Sequence, residues 1–130
     1  MQRLGEFYRE KVLSQKKLTE RELPSRSKNI RIEKDLFSWK LYSGKEFIEC
    51  RSEEEARFIQ VFLDAGMREV CVPEDDEYLK SILPELEKLK ARIEDILDHY
   101  VGGILSRKIR ESVRQIVYYE ILYEERDKVS

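Results

Sequence analysis

The sequence predicts an α+β protein, and three observations carry that expectation. The apolar period changes from three-four spacing to two near Ile30 and returns to three-four beyond Pro84, which are the repeats of helix and strand respectively. Ser52 and Glu55 form a Ser-x-x-Glu capping box between two strand-like runs, the signature of a helix start. The length of 130 residues suits one domain able to bury a core without metals or disulfides. The expected organisation is a single domain over 1–130, with an N-terminal helical segment at 1–24, a small α/β unit at 29–73 and a helical hairpin at 76–126.

Leu4, Phe7, Tyr8, Val12 and Leu13 fall near helical spacing, so a helix is expected from about Arg3 to Thr19, with a polar run to Pro24. Ser25, Arg26, Ser27, Lys28 and Asn29 then read as a linker, because turn-prone residues replace the apolar period. A loosely attached N-terminal helix follows from that reading. Ile30 and Ile32 alternate with charges, and Phe37, Trp39 and Leu41 alternate with Ser38, Lys40 and Tyr42, the pattern of strand. Ser43 and Gly44 supply a turn, and Phe47, Ile48 and Cys50 form the second arm of a hairpin.

In the helix that Ser52 opens, Glu53 and Glu54 complement the positive end of the dipole. Ala56, Ile59, Phe62 and Leu63 make its buried stripe, and Gly66 stands where a left-handed residue would end it. Met67, Val70, Cys71 and Val72 form a third strand that Pro73 stops. Strand, helix and strand in that order normally bring the two strands parallel by a right-handed crossover. The expectation is a three-stranded mixed sheet with Cys50 and Cys71 in strands of the same sheet, both as free thiols, since two cysteines do not make the framework of a small secreted domain.

Pro84 suits the first position of a helix, after which Leu86, Leu89, Ile93, Ile96 and Tyr100 keep three-four spacing up to Gly102 and Gly103. A last helix is expected from about Ser106 to Glu125, with Ile109, Val113, Ile116, Val117 and Ile121 on one face and Tyr119, Leu122 and Tyr123 on another. The two helices should pack as an antiparallel hairpin.

Hydrophobic residues make up 41% and charged residues 40%, enough apolar material to fold under an unusually charged exterior. One Asn, one Thr and four Gln are present, and a surface so rich in Lys, Arg and Glu and so poor in amides is that of proteins from heat-adapted organisms. The net charge of -2 is uneven: residues 1–28 carry eight basic and four acidic groups, a net +4, whereas residues 52–78 carry two basic and nine acidic, a net -7. Such a dipolar chain fits self-association or a protein partner at least as well as nucleic acid. No apolar run approaches the ~20 residues of a membrane span, and Met1 to Gly5 lack the apolar region of a signal peptide. A cytoplasmic protein without membrane contact is expected.

Most catalytic schemes lack their parts. His99 is the only histidine, flanked by Asp98 and Tyr100 rather than by a nucleophile. One His and two cysteines 21 residues apart make an irregular zinc set, and none of the five glycines opens a phosphate-binding loop. Glu74, Asp75, Asp76 and Glu77 could offer oxygens to a hard cation but lack EF-hand spacing, and read as a solvated loop that caps a helix. Glu46 and Glu49 are not followed by the Glu-x-Lys of a metal-dependent nuclease. No cofactor is expected.

Two features could bind a partner. Arg107, Lys108, Arg110 and Arg114 cluster at the start of the last helix, where guanidinium groups match phosphate oxygens or, more simply, form a charged face paired with acidic segments. Ile116, Tyr119, Leu122 and Tyr123 leave the same helix apolar nearly all round, as in a helix shared with another chain. The leading expectation is a non-enzymatic interaction or oligomerisation module acting through its C-terminal helices. A nucleic-acid-binding accessory protein using the basic cluster is the alternative, and a carboxylate-metal enzyme the third.

Overall fold

The computed structural model, described over residues 3–101, is α+β and is organised around one helix. That helix, α2 (Glu53–Asp64), packs against every strand of a three-stranded sheet, against a strand of a two-stranded sheet and against the long helix α3 (Asp76–Val101). Its start and stop are as local chemistry dictates. Ser52 Oγ accepts the Glu55 N–H at 3.0 Å, Gly66 adopts a left-handed φ of 87°, and the Met67 N–H returns to the Phe62 carbonyl. Ala56, Phe58, Ile59, Val61, Phe62 and Leu63 are all buried. This is a wider stripe than sequence spacing suggested, because sheet and helix cover α2 from different sides.

The three-stranded sheet contains β2 (Ile30–Lys34), β3 (Trp39–Ser43) and β4 (Glu46–Cys50) in that order, antiparallel throughout. Gly44 takes a φ of 65° in the two-residue turn between Ser43 and Glu46, which suits a tight hairpin. Ile32, Leu41 and Ile48 lie side by side across the strands on the face that covers α2. The second sheet pairs β1 (Leu18–Glu22) with β5 (Glu69–Pro73), also antiparallel, from Leu18 opposite Pro73 to Glu22 opposite Glu69.

Several expectations are corrected here. The N-terminal helix does not reach Thr19. α1 (Leu4–Phe7) continues through a π-helical turn over Tyr8–Val12, and Leu18 already belongs to a strand. Nor is it loosely attached: Leu4, Phe7 and Val12 are buried, the Tyr8 and Phe62 rings are 5.1 Å apart, and the Tyr78 hydroxyl donates to the Lys11 carbonyl at 2.5 Å. Residues 30–42 are not one strand, because Asp35–Ser38 fold back, with the Asp35 N–H donating to the Ser38 carbonyl and the Asp35 carboxylate accepting the Leu36 N–H. The sheet is therefore antiparallel rather than mixed, and β5 does not join β4. Cys50 and Cys71 consequently stand in different sheets, as free thiols, the first buried and the second half-buried.

The long helix starts eight residues before Pro84, not at it. Asp75 Oδ1 accepts the Glu77 and Tyr78 N–H groups, and Leu79, Ile82 and Leu83 are buried. An interior proline costs roughly 3 kcal/mol, whereas three buried aliphatic side chains contribute about 1.5 to 3 kcal/mol each, so packing wins. The residues expected to form the second helix of a C-terminal hairpin lie outside the described ones.

Candidate interaction surface

Each sheet edge exposes a row of backbone N–H and C=O groups, and such rows invite pairing unless something occupies them. In antiparallel pairs only every second residue bonds inward, so the register identifies the outward rows. On β5 the outward row includes Cys71 and Pro73. The Tyr8 hydroxyl accepts the Cys71 N–H at 2.8 Å, and the Arg51 guanidinium donates to the Pro73 carbonyl at 2.5 Å. Burial pushes the Tyr8 hydroxyl well above its ordinary pKa, so it stays a neutral phenol. On β4 the outward Glu49 carbonyl accepts from Arg21 Nη2 at 2.6 Å.

These contacts belong to one ionic joint between the sheets. Glu55 is 2% exposed and receives Arg21 Nη1 at 2.8 Å and Arg51 Nη1 at 2.5 Å, while Arg51 Nε reaches Asp76 at 2.7 Å. A buried carboxylate is tolerable only when paired in this way. Side chains, rather than the parallel backbone ladder expected from the strand-helix-strand order, thus tie β4 to β1 and β5. Cys50 sits beside the joint, and burial, followed by the Glu55 charge, pushes its thiol up to about 12. Raised in this way, the thiol stays protonated near neutral pH.

The edge of β2 is different. Gly44 N–H donates to the Asn29 carbonyl and Asp35 N–H to the Ser38 carbonyl, so with the register of β2 on β3 the inward-bonding residues are Arg31 and Glu33. Ile30, Ile32 and Lys34 therefore turn their backbone groups outward, and among the described residues none of these groups has a hydrogen-bond partner. Next to this edge, at the tip of the β2–β3 hairpin, Leu36 is 87% and Phe37 97% exposed. The solvent-facing side of the sheet carries Arg31 over the Tyr42 ring at 4.3 Å and Lys40 over the Phe47 ring at 4.8 Å, with Tyr42 and Phe47 themselves 5.4 Å apart. Asp35 is held below its ordinary pKa first by the Leu36 N–H and then by Lys40, which pins the tip as a charged turn.

Arg107, Lys108, Arg110, Arg114, Ile116, Tyr119, Leu122 and Tyr123 all lie outside the described residues. His99 stands in the last turns of α3. Of the acidic run, Glu74 accepts from Thr19, Asp75 caps α3 and Asp76 pairs with Arg51. Among the described residues no group of three or more His, Cys, Asp or Glu side chains is placed to hold a metal ion, and no helix is long and apolar enough to cross a membrane. Sequence reasoning missed the exposed tip because Phe37 falls at strand spacing with Trp39 and Leu41; Asp35 and Ser38, both turn-prone, were the available signal. No protein-family model, curated protein or solved structure matches the chain.

Proposed function

We propose that this chain is a cytoplasmic, non-enzymatic interaction module that assembles with further copies of itself. The carrying observation is the hairpin tip: Leu36 and Phe37 are almost wholly exposed next to a strand edge that nothing occupies among the described residues. Apolar side chains clustered in the open mark contact surfaces. The apolar positions Ile116, Tyr119, Leu122 and Tyr123 support a second contact of the same kind. Light scattering of the full chain across micromolar concentrations should give the mass of a dimer or larger assembly, with Leu36→Ser and Phe37→Ser together shifting it towards monomer. A monomer mass throughout would overturn the reading. Duplex DNA should not bind at physiological salt; binding that falls with a log-log salt slope near -0.9 per contact, and is lost on changing Arg107, Arg110 and Arg114 to Gln, would favour a nucleic-acid partner instead.

A further inference from the structure

We infer that two copies of this chain join edge to edge through β2, making one six-stranded antiparallel sheet. The inference rests on the self-assembly reading above and names its surface. Of the four outward rows, that of β4 is engaged at the Glu49 carbonyl by Arg21, and that of β5 at the Cys71 N–H by Tyr8 and at the Pro73 carbonyl by Arg51. That of β1 contains Glu20 and Glu22, and pairing two such strands about Glu20 would set like charges directly opposite. β2 carries no such obstacle, and none of its outward groups has a partner among the described residues.

Its sequence, Ile-Arg-Ile-Glu-Lys, also selects the register. With outward groups on Ile30, Ile32 and Lys34, two copies related by a twofold axis can centre on residue 31, 32 or 33. Centring on Arg31 faces Arg31 with itself, and centring on Glu33 faces Glu33 with itself. Centring on Ile32 faces Arg31 with Glu33 of the second copy, twice, at the non-hydrogen-bonded positions where side chains approach most closely. The same register gives the most backbone bonds. Ile32 with its copy, and Ile30 with Lys34 in both directions, form three pairs of two bonds each, about six in all; each alternative register leaves two such pairs.

Within one chain Arg31 Nε already holds Glu33 Oε1 at 2.8 Å, with both side chains well exposed. Assembly would therefore gather two Arg–Glu pairs into one four-charge group without burying an odd charge. Ile32 would meet its copy and extend the Ile32–Leu41–Ile48 row through the axis. Because Lys34 lies opposite Ile30, the hairpin tip would run alongside Lys28 and Asn29 of the second copy, giving Leu36 and Phe37 a surface to cover them.

Charge reversal tests this on the intact chain. Arg31→Glu should weaken self-association about tenfold or more, since two attractive cross-strand pairs become repulsive, and Glu33→Arg should do likewise. Combining them should restore the parent constant, which a folding defect would not allow. Ile32→Pro, which deletes an outward N–H together with an aliphatic side chain packed against the core, should abolish edge pairing while far-ultraviolet circular dichroism keeps the parent's secondary structure. An assembly whose constant changes less than twofold in both single variants, or that the double variant does not recover, overturns edge pairing while leaving the self-assembly reading intact. A parent that is monomeric removes both.

Discussion

The two ends of the β-structure face the same problem and treat it oppositely. At the joint, outward backbone groups of β4 and β5 are engaged by Arg21, Arg51 and Tyr8, and the same guanidinium groups neutralise the buried Glu55. At the rim, the outward row of β2 has no partner among the described residues, and two large apolar residues stand beside it. An open sheet edge is a hazard that proteins usually cover, bend or charge. The contrast between β4 and β5, engaged at Glu49, Cys71 and Pro73, and β2, whose outward groups have no partner among the described residues and whose charges are self-complementary, is the basis of the proposed edge contact.

If that contrast is right, damage at the joint should cost folding and damage at the rim should not. Removing both partners of Glu55, by Arg21→Ala with Arg51→Ala, leaves a buried carboxylate uncompensated and should destabilise the fold by at least about 3 to 5 kcal/mol in urea melts. A loss under 1 kcal/mol would mean that the joint is decoration. High pH should produce a smaller loss at the same place. The Cys50 thiol is raised from 9.0 to about 12 in the folded chain, so the unfolded chain releases that proton first. The associated stability is complete below pH 9 and is lost as pH rises from there towards 12, a decline that Cys50→Ala should flatten. For the same reason iodoacetamide at pH 8 should leave Cys50 unmodified in the folded protein. Ser52→Ala, which removes the cap of α2 beside the joint, should cost about 1 kcal/mol. Leu36→Ser with Phe37→Ser should change the stability of the folded chain by no more than about 0.5 kcal/mol, while shifting its assembly.

The parts legible in the sequence are those whose causes are local. α2 announces itself because its cap at Ser52, its apolar stripe and its stop at Gly66 all lie within fifteen residues. β1 was hidden because its Arg21 is set by Glu55, 34 residues further on, so no local apolar pattern marks the strand. The start of α3 was misplaced because proline speaks only for its own turn, whereas Leu79, Ile82 and Leu83 answer to the core. The rim was illegible for a different reason. Ile30 to Lys34 read as strand, but whether a strand is central or at an edge depends on which partners the others choose, and the expected partnership of β4 with β5 was the wrong one. The basic cluster and the aromatic face of the last helix were read from sequence alone and fall outside the described residues.

Amide hydrogen exchange across β2 tests the central claim most directly, because neighbouring residues serve as each other's controls. Arg31 and Glu33 bond inward to β3 and should stay protected at every protein concentration. Ile30, Ile32 and Lys34 point outward, and their amides should be protected in concentrated solution and exchange freely on dilution, all three at the same midpoint as the assembly itself. Protection of these three that ignored concentration, or free exchange in an assembly of undiminished mass, would contradict the account.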